Sequence, residues 1–311
     1  MVAKKYFACK RMLRALRSFA VKMCRGARAV YLWFNIPMPS LILLRGGGDL
    51  ATGVAIRLIR SGLRVVVTEI AQPLAVRRTV AFAEAIYEGE ITVEGITAHR
   101  VKDPTDSLRI LTVLGRQQVP VLVDPDCASA KLLHPAVIVD GRMTKLPPEP
   151  IGYSPALYLG LGPGFEAGVN CQAVIETRRS HTLGRVHWHG SPEPDTGQPE
   201  GDPQRVLRAP SDGELIAHKK IGEHCEQGDL IAETQSQIDN RKSEILSPFP
   251  GVLRGLLHPG LDVTQGMKIG DIDPRDDPRL CTLVSDKALS IGGGVLEAIL
   301  SKPEVRKVLW N

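Results

Sequence analysis

The sequence predicts an α/β fold in which a parallel sheet with helices is interrupted by an all-β module. Three observations predict it. Short apolar runs alternate with helix-spaced ones from Leu41 to about Thr177, three glycine-rich turns stand at 46–48, 160–164 and 292–294, and residues 206–233 recur as 244–271. Hydrophobic residues make up 43% of the 311, with 30 glycines and 23 prolines, enough core for two or three domains built with many tight turns.

The first element carries the most information. Leu41-Ile42-Leu43-Leu44 is short enough for a buried strand and runs into Gly46-Gly47-Gly48. Asp49 then opens a helix, with Leu50, Val54, Ile56, Leu58 and Ile59 at helical spacing. Gly46, Gly48 and Ala51 fit the G-x-G-x-x-G/A fingerprint of a Rossmann dinucleotide site. Gly47, Asp49 and Thr52 stand beside them, where a helix start offers free amides and partial positive charge to a phosphate. A second strand, Arg64 to Thr68, ends at Glu69, the place of a ribose-binding acid that favours NAD over NADP. The alternative is a glycine turn that binds nothing.

Further elements follow in order. Helical character covers Pro73 to Tyr87, Glu88 to Asp106 is polar, and Ser107 to Arg116 is a helix. Strands are expected at Pro120 to Val123, Ala136 to Val139, Leu157 to Leu159 and Gln172 to Ile175. The first two end at Asp124 and Asp140, the third runs into a second glycine turn at Gly160 to Gly164, and the fourth ends at Glu176. Such carboxyl ends are where parallel sheets place ligands. Gly190 to Pro203 is a linker rich in Pro, Gly and acids.

The repeat that follows has an offset of 38 without gaps, pairing Pro210 with Pro248, Gly213 with Gly251, Gly222 with Gly260 and Gly228 with Gly266. Two such halves resemble the barrel-sandwich fold of biotinyl and lipoyl carriers. Lys242 lies near the expected hairpin but lacks the flanking residues of a modified lysine, so a rigid β module is the better reading. The α/β pattern resumes with a strand at Cys281 to Val284 and a third glycine turn, Gly292-Gly293-Gly294, before a helix. The expected plan is therefore an extension at 1–38, a Rossmann-like domain at 39–190 and 275–311, a linker at 191–204, and an inserted barrel-sandwich-like module at 205–274.

Several side chains would carry charge or chemistry. Arg77 and Arg78 would bind phosphate, although neighbours on a helix point about 100° apart and one at most faces a ligand. Asp140, Arg142 and Lys145 lie beyond a strand end, and Lys287 precedes the third glycine turn. His181, also past a strand end, is a weak acid–base candidate, and His187 and His189 read as surface histidines. Cys127 and Cys171 are weak nucleophile candidates, with acids beside Cys127 opposing its activation. No metal site, Walker lysine motif or Ser/His/Asp arrangement is evident.

Charge and cysteine content narrow the class. Residues 1–38 hold nine Lys/Arg and no acid, leaving 30 basic against 34 acidic residues in the rest. The body is mildly acidic and offers no broad surface for nucleic acid. The basic segment reads as an upstream extension before a start at Met38, with a membrane-lying helix or a targeting peptide as alternatives. Six scattered cysteines without a C-x-x-C pair suit a reducing cytoplasm, and no apolar run is long enough for a transmembrane segment.

Three stretches carry a family resemblance. RGGGDLATGVAIRLIRSGLRVVVTEIAQPLAVRRTVAFAEAIYEGEITVEGI, GLGPGFEAGVNCQAVIETRRSHTLGRV and SDKALSIGGGVLEAIL resemble the YqeB family, accessory proteins of the selenium-dependent molybdenum hydroxylase system, over about residues 40–302. Ser180 stands where glycine is usual, and Gly47 where alanine is common. The resemblance implies a Rossmann domain related to that of XdhC-type chaperones and a role in maturing a molybdenum hydroxylase apo-enzyme of the xanthine dehydrogenase type. The molybdenum cofactor, as molybdopterin or its dinucleotide, would then place its phosphates at Gly46–Asp49, Gly162–Gly164 and Gly292–Gly294, with Arg77, Arg142 or Lys287 adding charge. The alternatives are an NAD(P)-dependent oxidoreductase using Gly46, Gly48 and Glu69, and a docking scaffold.

Overall fold

The structure, a computed structural model, describes residues 40–195, 197 and 202–310. The expected extension at 1–38 and the start at Met38 lie outside the described residues. The chain runs β1 (Ile42–Arg45), α1 (Asp49–Arg60), β2 (Val65–Glu69), α2 (Ala85–Glu88), β3 (Glu90–Val93), β4 (Ile96–Val101), α3 (Ser107–Gly115) and β5 (Val119–Val123). It continues through α4 (Ala130–Leu133), β6 (Val137–Asp140), β7 (Leu157–Leu161), β8 (Ala173–Ile175) and β9 (Val186–His187).

These strands form one sheet in the order β3-β4-β5-β2-β1-β6-β7-β8-β9. The inner seven pair in parallel. Leu41 to Leu44 are wholly buried, as a strand covered on both faces must be. Strand order reverses between β1 and β6, and such a reversal opens a crevice at the carboxyl ends.

The structure corrects the fold-class expectation of a Rossmann-like parallel sheet carrying a biotinyl/lipoyl-like barrel-sandwich insert. The large sheet is mixed: β3 and β9 run antiparallel at its two margins. The polar run after Glu88 hides a hairpin turning at Glu94-Gly95, whose edge strand β3 tolerates exposed Glu90 and Thr92. Residues 73–84 form no α-helix. They make two short 3-10 turns, Arg78–Val80 and Phe82–Glu84, because Ala83 N donates to Gly47 O at 2.9 Å and draws the segment onto the glycine loop. Cys281 closes a 3-10 turn, Pro278–Cys281, instead of opening a strand.

Residues 206–273 make two four-stranded antiparallel sheets around their own core. The first contains β10 (Val206–Arg208), β17 (Lys268–Asp273), β15 (Gly251–Leu256) and β12 (His224–Cys225), in that order. The second contains β14 (Lys242–Leu246), β13 (Leu230–Gln235), β11 (Gly213–Ala217) and β16 (Asp262–Val263). The 38-residue offset maps each strand of one sheet onto a strand of the other, so each repeat half contributes to both sheets. A carrier-type lysine is absent from the turn at 236–241. Lys242 lies in β14, its Nζ 2.9 Å from Glu233.

The module packs on the sheet through 73–88. Gly255 is glycine because a Cβ there would meet Val76 O at 2.9 Å. Arg78 Nε donates to Leu256 O at 3.1 Å, and the His258 ring stacks on Tyr87 at 4.0 Å. The chain then returns as α5 (Asp286–Leu300) and α6 (Pro303–Trp310), with Ala288, Ile291, Val295 and Ile299 joining the core under α1.

Gly292-Gly293-Gly294 lies inside α5, so the expected third turn is no helix start. Its role is close packing. A Cβ on Gly292 would meet Arg57 Cγ of α1 at 2.8 Å, and one on Gly294 would collide with Gly184 O. Gly293 faces open space. Gly293→Ala is therefore expected to raise stability by about 0.5–1 kcal/mol, the usual helix gain. Gly294→Ala should reverse the sign and lower it by about 1–3 kcal/mol through overpacking. Urea unfolding of both variants checks the pair.

Candidate functional site

The carboxyl ends of β1, β2 and β6 open into a cleft of about 1140 Å³, which the β module and the start of α5 close on the other side. Its floor begins with a buried carboxylate. Asp140, fully buried at the end of β6, accepts from Arg45 Nη1 at 3.1 Å, from Arg142 Nε at 2.9 Å and Nη2 at 2.8 Å, and from Tyr158 OH at 3.0 Å. Asp140 does not line the cleft; it fixes two guanidinium groups that do. Its hydrogen bond pushes the Arg142 pKa up, and burial, then Asp140, pushes the Tyr158 phenol up, so that hydroxyl stays a donor.

The glycine loop sits over this floor. Gly46 adopts φ +85°, a conformation that favours glycine. Gly47 N donates to Glu69 Oε1 at 2.8 Å, and Ile70 N donates to Oε2 at 2.7 Å. Burial raises the Glu69 pKa, while those two amides and Arg142 pull it down. The carboxylate that would greet a ribose therefore also braces the loop. Thr52, in the first turn of α1, is a latch rather than a ligand group: its hydroxyl donates to Gly47 O at 3.2 Å and accepts from Phe82 N at 2.8 Å.

The N-terminus of α1 is distinctive. Gly48 is its N-cap, with φ −62° and ψ 176° and no side-chain cap. By contrast, Asp106 caps α3 by accepting from Arg109 N at 2.9 Å, and Ser285 caps α5 by accepting from Ala288 N at 3.1 Å. A Cβ on Gly48 would meet nothing within 4 Å, because the position faces the cleft. The cap thus supplies no side-chain acceptor to the first amides of α1, whose residues Gly48 to Ala51 line the cleft.

Cationic side chains converge on the same space. Arg45 ends β1, Arg142 and Arg179 follow β6 and β8, Arg77 comes from the 73–88 segment and Lys287 from α5, and Arg205, Arg254, Lys268 and Arg275 come from or beside the module. Asp49, Glu69, Asp271 and Asp286 are the acids among the lining residues, so positive charge is in excess. Arg77 reaches Asp49 at 3.4 Å and the carbonyls of Leu280 and Leu283 at 3.0 Å each. Arg78 turns away to Glu84 at 3.1 Å. Arg179 holds Asp286 through two bonds of 2.6 Å, which pull that carboxyl down to about 2.

Of the residues expected from sequence, Gly46, Gly48, Asp49, Ala51, Glu69, Arg77, Arg142 and Lys287 line the cleft, and Gly47 lies in its loop. Gly162 and Gly164 do not line it, and no helix follows them. Gly164 instead packs where a Cβ would meet Leu146 O at 2.5 Å. Gly292, Gly293 and Gly294 are likewise outside. His181 is exposed and apart from the cleft lining. Burial pushes the thiol of Cys127 up to about 12 and that of Cys171 up to about 11, so neither is an activated nucleophile at neutral pH. Lys145 pairs with Asp195 at 2.6 Å. Sequence reasoning missed the cations of the module. A signal existed in the repeat: Arg254 and Lys268 occupy positions where the first half has Ile216 and Leu230.

Among the curated proteins, the chain is 42% identical over 264 residues to an uncharacterized protein, YqeB of Escherichia coli K12. The chain is homologous to YqeB. The match covers 84% of this chain and 47% of YqeB, so the chain spans about half that relative's length. No family model matches the chain. Solved structures similar to it include an aspartoacylase family protein of Mesorhizobium loti, 14% identical over 76% of this chain and 85% of the other, TM-score 0.26. A succinylglutamate desuccinylase of Silicibacter is 13% identical over 75% and 84%, TM-score 0.24. At those scores neither likeness carries fold or activity to this chain. No match carries the expected maturation role or its oxidoreductase and scaffold alternatives, since the relative is uncharacterized and the structures matched are named as acylases and desuccinylases; these readings are withdrawn. Beyond the YqeB homology itself, none of these findings carries the selenium or XdhC link. Among the described residues, no helix is long and apolar enough to cross a membrane.

One ionic group at the cleft edge gives a pH test. Asp273 accepts from Arg275 at 2.6 and 2.9 Å and from Arg254 at 3.2 Å, and Arg275 foremost holds its carboxyl at about 2, below the ordinary 3.8. A folded pKa below the unfolded one gives stability that is complete above the unfolded value and lost as pH falls through the folded one. Asp273→Asn is therefore expected to be less stable than the parent at neutral pH, and the two should converge as pH falls from about 4 to about 2. Urea midpoints across that range check it.

Proposed function

We propose that this chain binds a phosphate-bearing, nucleotide-like ligand, with a phosphate seated on the N-terminus of α1. The observation that carries the reading is the uncapped Gly48, which leaves the first amides of α1 open to the large cleft. A residue with a capping side chain would stabilise the helix better than glycine. Glycine there keeps the amides available and lets an anion approach closely. Arg45 and Arg142, held by Asp140, and Arg77, held by Asp49, supply fixed positive charge around the same point. Glu69 stands at the end of β2 with its oxygens braced by amides, able to accept further hydrogen bonds from sugar hydroxyls.

Molybdopterin and NAD(P), the two cofactors expected from sequence, both carry phosphates that these amides and guanidinium groups fit. The proposal is for the class they share. No chemical step is assigned, because the two cysteines are buried and protonated and His181 lies outside the lining residues.

Gly48→Asp separates binding from folding. The carboxylate would cap α1 and repel a phosphate, at a position with backbone angles any residue adopts. Stability should stay level or rise by a few tenths of a kcal/mol, while affinity for ADP, measured by calorimetry, should fall at least about tenfold. A parent protein that binds neither ADP nor NAD, or a variant that binds ADP as tightly as the parent, would sink the reading.

A further inference from the structure

We infer that the ligand carries two separate anionic groups, one on α1 and a second held by Arg205, Arg254 and Lys268 of the β module. This rests on the phosphate reading above and deepens it.

The three cations share one carboxylate. Asp271, on β17 and 1% exposed, accepts from Arg205 Nη1 at 3.0 Å to each oxygen and from Arg254 Nη2 at 2.9 Å, with Lys268 Nζ at 3.6 Å. Arg254 also reaches Asp273 at 3.2 Å, which Arg275 already occupies. Two acids thus face four cations, all four of which line the cleft. Such an arrangement keeps net positive charge in a partly desolvated place, which attracts an anion more strongly than exposed lysines would.

Local backbone geometry aims one of these groups. The β15–β17 register slips between Leu253 and Gly255, so Arg254 is the extra residue of a β-bulge. Bulges re-aim a side chain and recur beside binding sites. The side chains also retain bonding capacity: the buried Nε atoms of Arg77, Arg205 and Arg254 have no hydrogen-bond partner. Desolvation holds the Lys268 pKa down, Asp271 opposes this, and Arg205 and Arg254 add to it; Asp49 on α1 is close enough to be felt as well. Gly48 and Asp49 line the same cleft as Arg205, Arg254 and Lys268, so the two anion positions belong to one space.

The test compares AMP with adenosine 2′,5′-bisphosphate and adenosine 3′,5′-bisphosphate by calorimetry on the full chain. One bisphosphate should bind at least about tenfold more tightly than AMP, the gain of one charge-assisted contact set. Lys268→Met removes the longest of the Asp271 pairs and leaves Arg205 and Arg254 on that acid, so the module should still fold. It should erase most of the bisphosphate gain, weakening the bisphosphate several-fold more than AMP. Arg205→Gln should act in the same direction. The inference is overturned if neither bisphosphate exceeds AMP, if the gain survives both substitutions, or if Lys268→Met weakens all three ligands equally. AMP binding that is lost in Gly48→Asp, with no bisphosphate gain, removes this inference and keeps the phosphate reading. No binding of any of the three removes both.

Discussion

The cleft depends on a buried carboxylate. Asp140 sits where β6 ends, next to the reversal of strand order, and gathers Arg45 from the end of β1, Arg142 from just beyond β6 and Tyr158 from within β7. Burying that charge is costly unless every lone pair is used, and here the partners use them. The consequence is geometric. Arg45 and Arg142 cannot wander, so their outer faces form a preorganised cationic floor. Gly46 then turns directly above Arg142, whose Cγ would lie 3.2 Å from a Cβ at that glycine. Floor and loop are built against each other.

A second dependency runs through the 73–88 segment. It touches the glycine loop through Ala83, the cleft through Arg77 and the module through Arg78 and Tyr87. A regular helix could not do this, because its amides would be consumed by its own turn. The short 3-10 turns free Ala83 N for Gly47 O and Phe82 N for the Thr52 hydroxyl. Tertiary bonding has overridden the helical spacing of Val76, Val80, Ala83 and Ile86.

That override marks the limit of what the sequence made legible. Strand positions with dense apolar runs, such as those at 41–45, 64–69 and 136–140, could be read because burial on both faces leaves no room for polar residues. The hairpin at 90–101 could not, since an edge strand needs only one apolar face and its polar residues look like a loop. Glycines were legible as sites of close approach, but their neighbours were not. Gly48 faces space and Gly294 faces a backbone carbonyl, and nothing in the letters separates the two. The cations of the module were hidden for another reason: they act across a distance in sequence that only the folded chain closes.

The module is joined to the sheet at both of its ends, leaving after β9 and returning through α5 onto α1. Two tethers change the entropy of parting. A body held by one linker that loses its contacts explores a large volume, whereas one held by two explores little, so its effective concentration at the sheet stays high. Contacts such as the Tyr87–His258 stack and the Arg78 bond to Leu256 need only be individually modest to keep the cleft walls together.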